Sequence, residues 1–338
     1  MAVRGSEKKY IYVTGCDTGF GEIVAKKLDQ LGFGVFAGVY LPESIDKLKS
    51  SCSNRMHPIR VDVSDEDSVE NAASIMKETL AAKGALLHGV VNNAGILVQP
   101  GPVEWTPTDA YRRMFNVNVM GTVMTTKSLL PLLRKSKGRI VNVASIAGRI
   151  GLPTQPAYCM SKYGVEGYSE VLRRDMLSWG VTVHIVEPGV FSKTGLYDQF
   201  ETGLDRLWQN LSPEVKADYG EDFYKFLRKA LTQVLLDTGN TNSELVPLAM
   251  VEALVSEKPK YRYRVGHDSK YLITVIEKLH ESTQDAILTA SNPKLKAVLP
   301  KTAPPNGKAI ATSRYNKGWP QFLIICAVLL FVLRKLRS

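Results

Sequence analysis

The chain has 338 residues, of which 44% are hydrophobic and 22% are charged, a balance that excludes a disordered chain and allows one large α/β domain or two smaller ones. Its formal net charge is +10, but Lys and Arg are scattered and are densest beside an apolar C-terminal stretch, so we expect no nucleic-acid binding. The four cysteines have no metal-ligand spacing, and the start MAVRGSEKKY lacks the apolar stretch of a signal peptide. We therefore expect no metal site, no disulfide framework, and a main body that stays in a reducing compartment.

Strand-like and helix-like segments alternate through the first half of the chain. Strands are predicted at 10–14, 34–39 and 56–61, and helices at 21–31 and 65–82. Ser64, with Asp67 three residues on, resembles a capping box and is expected to begin the helix at 65–82. Three further apolar runs, LLHGVVNNAG, GRIVNVAS and VTVHIVEPG, end in polar or glycine turns. Such uninterrupted runs are typical of strands buried on both faces, so the pattern predicts an α/β fold with a doubly wound parallel sheet.

Three glycines follow the first predicted strand in the sequence YVTGCDTGFG. Gly15, Gly19 and Gly21 lie within seven residues, where a regular element would be weakened by each of them. The order strand, glycine turn, helix is that of a dinucleotide-binding unit, in which a pyrophosphate lies against backbone N–H groups at a helix N-terminus. The spacing differs from the usual G-x-G-x-x-G, so this turn alone is weak evidence.

Polar residues at later positions strengthen that interpretation. The NNAG sequence at 92–95 and Ser145 each follow an apolar run, which places them at the carboxyl edge of the sheet, where ligands bind in open α/β folds. Asn118 lies on a predicted long helix. Tyr158 and Lys162 are four residues apart and share one helix face.

This ordered set resembles the short-chain dehydrogenase/reductase superfamily. The matching motifs are TGCDTGFG, NNAG, Asn118, Ser145, YCMSK and EPG at 187–189, and the resemblance extends over roughly residues 8–270. It implies a Rossmann fold and hydride transfer between an alcohol and nicotinamide. A tyrosine with a pKa near 10 is a poor base at pH 7, so a lysine ammonium one turn away and a positive nicotinamide ring are expected to favour the phenolate.

The resemblance assigns a role to each catalytic candidate. Tyr158 would be the base and Lys162 its electrostatic partner, which also bonds the nicotinamide ribose. Ser145 would hold the substrate oxygen, and Asn118 would anchor a water molecule in the proton relay. The same resemblance gives the cofactor-binding residues as Gly15, Asp17, Gly19, Phe20, Gly21, Asp62, Asn93, Ala94, Gly95, Tyr158, Lys162, Pro188, Gly189 and Thr194.

The cofactor is expected to be NAD, with NADP less favoured. A 2′-phosphate needs Arg or Lys in the glycine turn or just past the second strand, where this chain offers no cation and where Asp17 and Glu43 would repel it. The acidic residue that often closes the second strand of NAD enzymes is also missing. Asp62 would bond the adenine amine, or it would simply cap the following helix. Thr194 is the candidate for binding the nicotinamide carboxamide, although Lys193 stands at the commoner spacing.

Residues 196–290 extend beyond the minimal fold and would form a helical substrate cap. They resemble the branch that contains retinol, hydroxysteroid and 3-hydroxybutyrate dehydrogenases, so a hydrophobic hydroxysteroid or retinol is the expected substrate. An apolar stripe in this region would either line a substrate pocket or pack as ordinary core: Leu204, Leu207, Trp208, Leu211, Phe223, Phe226 and Leu227. The alternatives are 3-hydroxybutyrate, for which Arg149 or Lys193 could supply a cation, and a non-catalytic binding protein that kept the fold.

The end of the chain predicts membrane attachment. A dehydrogenase domain at 1–298 would be followed by a linker at 299–318 and a membrane segment at 319–338. The unbroken apolar run 322–333 covers only about 18 Å of a hydrocarbon core about 30 Å thick, but Trp319 and the terminal basic residues suit headgroup anchoring. Spanning the bilayer, lying in one leaflet and docking on a protein surface all stay open. Family resemblance implies an endoplasmic reticulum location with a cytosolic catalytic domain, and self-association through the helices bearing Asn118 and Tyr158.

Overall fold

A parallel sheet of seven strands, in the order β3-β2-β1-β4-β5-β6-β7, forms the centre of the molecule. The computed structural model describes residues 8–98, 100–192, 200–288 and 300–303. The strands are β1 (Lys9–Val13), β2 (Gly34–Val39), β3 (Met56–Arg60), β4 (Leu86–Asn92), β5 (Arg139–Val143), β6 (Thr182–Pro188) and β7 (Arg262–Val265). The predicted strands agree with β1 to β3 to within one residue, which confirms the doubly wound parallel sheet.

Helices connect the strands and cover both faces of the sheet. In the described residues they are α1 (Gly19–Gln30), α2 (Glu43–Ser51), α3 (Glu66–Lys83), α4 (Thr108–Met114), α5 (Gly121–Ser136), α6 (Pro156–Asp175), α7 (Phe200–Asn210), α8 (Pro213–Tyr219), α9 (Glu221–Thr238), α10 (Leu245–Val255), α11 (Thr274–Ile276) and α12 (Glu281–Leu288). A π-helical turn, Phe115–Met120, joins α4 to α5. One apolar core lies between the sheet and α1 and α10, and a second lies between the sheet and α3, α5 and α6.

The strand order places the ligand-binding edge of the sheet. β1 pairs in parallel with both β2 and β4, so the chain leaves β1 in one direction along the sheet and returns to its other side after β3. In open α/β sheets, a crevice forms at such a switch point, outside the carboxyl ends of the strands. The carboxyl ends of β1 and β4 carry the glycine turn and the NNAG sequence.

The start of α3 differs from the sequence prediction by its capping residue. The carboxylate of Asp65 accepts hydrogen bonds from the backbone N–H groups of Asp67 and Ser68, at 3.1 and 3.4 Å, so Asp65 is the N-cap. The hydroxyl of Ser64 instead donates to Asp62 Oδ1 at 2.6 Å. The prediction of Ser64 was therefore wrong by one residue, because Ser64 is held by the preceding turn.

A buried polar chain crosses from the sheet to two helices. Asn92 Nδ2 on β4 donates to Asn142 Oδ1 on β5 at 2.8 Å, and also to Thr126 Oγ1 on α5 at 3.0 Å. Asn142 Nδ2 then donates to Ser169 Oγ on α6 at 2.8 Å. These four side chains are all less than 5% exposed, so each bond replaces one that water would otherwise make.

Helices α7, α8 and α9 lie within the region 196–290 that is predicted to form a substrate cap, and the apolar stripe of this region packs as core. Leu204 and Leu227 are buried with Trp105, and their neighbours Trp208 and Phe223 pack against the same tryptophan, with ring centroids 5.3 and 6.0 Å away. None of the stripe residues predicted from the sequence is among the described residues that line the main cleft. Of the two interpretations of this stripe, ordinary core packing is the one that the contacts favour.

In the described part of the chain, no helix is both long enough and apolar enough to cross a bilayer. The segment predicted to attach to a membrane, 319–338, lies outside the described residues.

Candidate active site

A single continuous cleft runs along the carboxyl edge of the sheet and brings together the sequence motifs. Its described lining residues are Gly15, Asp17, Thr18, Gly19, Phe20, Asn93, Ala94, Gly95, Val143, Ala144, Ser145, Tyr158, Lys162, Pro188, Gly189 and Phe191. Twelve of the predicted site residues therefore face one space, although they are up to 174 positions apart in the chain.

The glycine turn has the backbone geometry of a phosphate cradle. Gly15 and Gly19 have φ of +70° and +63°, a region that glycine occupies without the strain of a Cβ atom. A Cβ atom on Gly21 would lie 2.0 Å from the carbonyl oxygen of Gly15, so only glycine allows this close approach. The turn leads directly into α1, whose N-terminal N–H groups and dipole favour an anion. These residues fit the pyrophosphate of a dinucleotide.

The NNAG segment holds the glycine turn in place. Asn93 Nδ2 donates to the carbonyl oxygens of Thr14 and Gly15, at 2.9 and 3.2 Å. In return, the hydroxyl of Thr14 accepts from the backbone N–H groups of Asn93 and Ala94, both at 3.0 Å. Thr14 was missed by the sequence analysis, although its position directly before Gly15 was a usable signal. The predicted cofactor residues Asn93 and Ala94 thus shape the cradle as well as line it.

Asp17 supplies a carboxylate at the end of β2. Its side chain accepts from the backbone N–H of Tyr40 at 3.0 Å, from that of Leu41 at 2.9 Å and from the hydroxyl of Ser44 at 2.9 Å. An acidic residue at the end of the second strand was noted as missing from the sequence. In space, a residue of the glycine turn fills that place.

Ser145, Tyr158 and Lys162 meet at the β5 end of the cleft. Ser145 lies two residues beyond the end of β5 and begins a 3₁₀ segment, Ile146–Gly148, and its hydroxyl accepts the N–H of Ala147 at 3.2 Å. The same side chain lies near the Tyr158 phenol, where burial raises the pKa of that group and the hydrogen-bonding influence of Ser145 acts to lower it. Lys162 lies one turn further along α6, with Nζ 5.7 Å from the centre of the Tyr158 ring. Its ammonium donates to the carbonyl oxygen of Val143 at 2.9 Å, which anchors the lysine to β5.

Burial controls the titration of both groups. It raises the pKa of Tyr158 to about 12, and the hydrogen bond from Ser145 acts in the opposite direction. Burial lowers the pKa of Lys162 to about 8, partly offset by the nearby charge of Glu166. The sequence analysis expected Lys162 to lower the pKa of Tyr158, but in the protein alone desolvation of the phenol outweighs any such effect. Tyr158 is therefore a neutral phenol at pH 7, and a further positive charge in the cleft would favour its phenolate.

Asn118 lies behind the cleft and outside its described lining. Its side chain bonds the backbone of Ile96 twice, accepting from the N–H at 2.8 Å and donating to the carbonyl at 3.0 Å. It also donates to the hydroxyl of Ser161 at 3.0 Å. The residue sits in the π-helical turn Phe115–Met120, which joins α4 to α5 without a break, so Asn118 lies on a long helix as predicted. Its side chain thus braces the segment after NNAG against α6.

The remaining predicted cofactor residues fall into three groups. Pro188 and Gly189, at the end of β6, line the cleft opposite the glycine turn. Asp62 is not among the described lining residues; its carboxylate accepts from the N–H and the hydroxyl of Ser64, at 2.9 and 2.6 Å, and does not cap α3. Thr194, like Lys193, lies outside the described residues.

An apolar wall stands beside Tyr158. Ile96, Leu97, Val98 and Leu152 pack, partly buried, against the cluster that contains Tyr158 and Met114. The sequence analysis considered an apolar substrate surface only in the cap, as one of two interpretations of its stripe. The run ILV directly after NNAG was the available signal, since it continues from a strand end that was already placed at the site.

Comparison with known proteins identifies the group to which these motifs belong. Residues 9–204, more than half of the chain, match the model of the short chain dehydrogenase family. The chain belongs to the short-chain dehydrogenase family. It is 38% identical over 291 residues to human 17-beta-hydroxysteroid dehydrogenase type 6, covering 85% of this chain and 90% of that protein. It is also 38% identical over 285 residues to mouse retinol dehydrogenase 5, covering 83% and 87%.

A solved structure supports the same assignment. The chain resembles a short-chain dehydrogenase from Streptomyces avermitilis with a TM-score of 0.65 and 27% identity, over 83% of this chain and 95% of that one. Family membership makes this protein an oxidoreductase that acts on CH–OH groups and uses a nicotinamide dinucleotide. The resemblance stated from the sequence motifs is thereby confirmed.

Proposed function

We propose that this short-chain dehydrogenase is an NAD-dependent enzyme that interconverts the alcohol and carbonyl forms of a hydroxysteroid or a retinol. The observation that carries the proposal is the meeting of Ser145, Tyr158 and Lys162 in a cleft whose other end is a glycine cradle. A protein that had kept only the fold as a binding scaffold would have no need for these three side chains in one cleft.

The chain's own residues account for the proton transfer. In oxidation, the Tyr158 phenolate takes the proton of the substrate hydroxyl, while the Ser145 hydroxyl hydrogen-bonds the same oxygen and holds the carbinol carbon in place. Lys162, anchored to β5, stabilises the phenolate by its charge. Gly15, Gly19 and Gly21 would hold the pyrophosphate of NAD⁺ and Lys162 its nicotinamide ribose, and the bound cofactor would supply the hydride acceptor and a positive charge. The reverse steps reduce a carbonyl.

The apolar wall favours a hydrophobic substrate. Ile96, Leu97, Val98 and Leu152 pack against the cluster that contains Tyr158, outside the described lining of the cleft, and a ring system or a polyene chain that extends beyond this lining could be buried against them. None of these side chains can pair with a carboxylate. The relatives named above act, by their names, on hydroxysteroids and retinol, which agrees with such a surface.

The small anion 3-hydroxybutyrate is the weaker candidate. It would need a free cation near Tyr158, and Arg149 was one of two proposed sources. Arg149 Nε instead pairs with Glu277 at 3.1 Å and with buried Glu187 at 3.8 Å. Because this guanidinium is already neutralised by two carboxylates, it is poorly placed to hold a third.

The preference for NAD over NADP rests on Asp17. Its carboxylate occupies the end of β2, where the adenosine ribose of a dinucleotide binds in this type of fold, and it already uses the N–H groups of Tyr40 and Leu41. The cations nearest to this turn, Lys26 and Lys47, both pair with Glu22 at 2.8 Å. A 2′-phosphate would therefore meet a fixed negative charge and no uncommitted cation among the described residues around Asp17.

We also propose that residues 319–338 attach the enzyme to the membrane of the endoplasmic reticulum, where an apolar alcohol is concentrated. Self-association through the helices that bear Asn118 and Tyr158 belongs to the same set of proposals. Deletion of 319–338 tests the first: the truncated protein should move from the membrane fraction to the supernatant and lose activity on vesicle-delivered substrate, with activity on detergent-solubilised substrate unchanged.

The decisive experiment measures reduction of NAD to NADH, or of NADP to NADPH, with retinol, 3- and 17-hydroxysteroids and 3-hydroxybutyrate as substrates. Tyr158→Phe serves as the blank, and Tyr163→Phe is its matched control, because Tyr163 lies on the same helix and is 47% exposed. Turnover of a steroid or retinol that Tyr158→Phe abolishes and Tyr163→Phe preserves would support the proposal. Turnover of 3-hydroxybutyrate alone would contradict it. Binding of NADH without turnover of any of these substrates would also contradict it.

A further inference from the structure

The loop that follows β6 is held from behind by two side chains that no part of the mechanism above uses. The carboxylate of Asp268 accepts the backbone N–H of Val190 at 2.7 Å through Oδ2. Its other oxygen accepts from Asn240 Nδ2 at 3.0 Å, and the same amide nitrogen donates to the carbonyl oxygen of Val190 at 2.8 Å. Val190 is thus bound through both its N–H and its C=O by one interlocked pair.

Backbone contacts extend this arrangement on both sides of Val190. The N–H of Gly189 donates to the carbonyl of Val265 on β7 at 2.8 Å, and the N–H of Asn240 donates to the carbonyl of Val190 at 2.8 Å. Ser269, next to Asp268, donates its hydroxyl to the carbonyl of Glu187 at 2.9 Å. The loop is therefore tied to the end of β7 and to Asn240, which lies two residues beyond the end of α9.

The pair also explains why the loop carries glycine. A Cβ atom on Gly189 would lie 2.0 Å from Asp268 Oδ1, so the carboxylate occupies the space that a side chain would need. Gly266, at φ +103°, places the backbone before Asp268 so that the carboxylate points under the loop. Gly189 and Asp268 are fitted to each other, which a random packing contact would not require.

Pro188 and Gly189 line the cleft at its Tyr158 end, while Asp17 lies at the β2 end. In a dinucleotide laid across this edge, adenosine lies towards β2 and nicotinamide towards the catalytic tyrosine. The loop held by Asp268 and Asn240 is therefore at the nicotinamide end, and the residue that follows it, Phe191, packs edge-on against Phe20 of the glycine turn with ring centroids 5.5 Å apart.

We propose that Asp268 and Asn240 form a positioning clamp, which fixes the Pro188–Val190 backbone so that it can receive the nicotinamide half of the cofactor. This inference rests on the proposed NAD-dependent function. Neither residue touches substrate or cofactor; both act through the loop. Without the clamp, the N–H and C=O of Val190 lose their side-chain partners, and the loop is freed to move at the nicotinamide end of the cleft.

Two ligands distinguish a role in positioning the nicotinamide end of the site from a role in the stability of the whole fold. NADH fills both ends of the site, whereas ADP-ribose has the adenosine and pyrophosphate but no nicotinamide. The variant Asp268→Asn keeps one acceptor for Val190 but turns an N–H₂ group towards the N–H₂ group of Asn240, and Asn240→Ala removes the other half of the clamp. Exposed Asp175→Asn, at the end of α6, is the matched control.

The purified full-length protein is titrated with each ligand, by fluorescence for NADH and by calorimetry for ADP-ribose, and its thermal unfolding is followed without ligand. We expect Asp268→Asn to weaken NADH binding by about tenfold, and Asn240→Ala by a smaller factor, with ADP-ribose affinity within about twofold of the unchanged protein. At saturating NAD, kcat should fall less than the KM for NAD rises. Asp175→Asn should change none of these.

The other outcomes are equally distinct. Unchanged NADH affinity in Asp268→Asn, or an equal loss for NADH and ADP-ribose, would overturn the clamp and leave the proposed function standing. If the unsubstituted protein binds neither ligand, the proposed function itself fails. If either variant unfolds, Gly189→Ala replaces it, because its Cβ atom would meet the Asp268 carboxylate from the side of the loop. NADH affinity should again fall while ADP-ribose affinity stays nearly unchanged.

Discussion

Gly21→Ala should weaken cofactor binding strongly while leaving the sheet intact. The added Cβ would lie 2.0 Å from the carbonyl oxygen of Gly15 and 2.6 Å from Asn93 Nδ2. Ordinary contacts of this kind are about 3.5 Å, so the turn must open by roughly 1.5 Å, either by moving Gly15 or by tilting α1. Forced overpacking of this kind costs about 1–3 kcal/mol.

This free-energy cost should appear as a loss of affinity for the dinucleotide, because the atoms that must move form the phosphate cradle itself. Each 1.4 kcal/mol is about tenfold in a dissociation constant, so a cost of about 1–3 kcal/mol should lower NADH affinity by between about fivefold and about 140-fold. The measurement is a fluorescence titration with NADH, paired with thermal unfolding. Unlike the clamp variants, Gly21→Ala should weaken ADP-ribose and NADH alike, because both ligands carry the pyrophosphate.

Gly167→Ala is the control for that measurement. Gly167 lies within α6, and a Cβ there would meet nothing within 4 Å. Glycine in a helix interior is less stable than alanine by about 1 kcal/mol, so this variant should raise the unfolding temperature and leave NADH affinity unchanged. If Gly21→Ala bound NADH as tightly as the unsubstituted protein, the close approach of Gly15 to Gly21 would not be what shapes the cradle.

Three further results are expected. Asp17→Asn should raise the ratio of kcat/KM for NADP to that for NAD by about tenfold, since it removes the charge that a 2′-phosphate would meet; an unchanged ratio would remove Asp17 from cofactor selection. Asp65→Ala should lower the unfolding free energy by about 1 kcal/mol through loss of the α3 N-cap, as measured by urea denaturation, and Ser64→Ala should cost less; equal losses would contradict the assignment of the cap. Burial, and then the charge of Glu187, raises the pKa of Glu166 from 4.5 to about 8, so folding takes up a proton between these values. This carboxyl makes the unfolding free energy fall as pH rises from about 4.5 to 8, and Glu166→Gln should flatten that part of the stability profile.

Much of the site could be predicted because the carboxyl ends of parallel strands share one edge of the sheet. The glycine turn after β1, NNAG after β4 and Ser145 after β5 each follow a run of buried apolar residues, so recognising the strands was enough to bring them together. Tyr158 and Lys162 needed only helical spacing. In these cases local sequence determines the position of the residue.

Contacts made by side chains across the fold were the part that sequence could not give. The bonds from Asp17 to Tyr40 and Leu41, and from Asp268 to Val190, join segments 23 to 78 residues apart, and no local pattern specifies them. The apolar stripe of the cap has the same periodicity whether it lines a pocket or packs against Trp105. Only the positions of its neighbours decide between these two outcomes.

The buried chain of Asn92, Asn142, Thr126 and Ser169 limits how the sheet can be assembled. If β5 slid by two residues along β4, the apolar side chains would still face the helices, and the loss of hydrophobic contact would be small. The two amides, however, would lose each other and their partners on α5 and α6, at a cost of about 1–3 kcal/mol for each unpaired buried group. The buried polar chain therefore selects one register of β5 against β4 among several that would bury almost the same apolar side chains. It also sets the height at which Ser145, three residues beyond Asn142, emerges at the edge of the sheet.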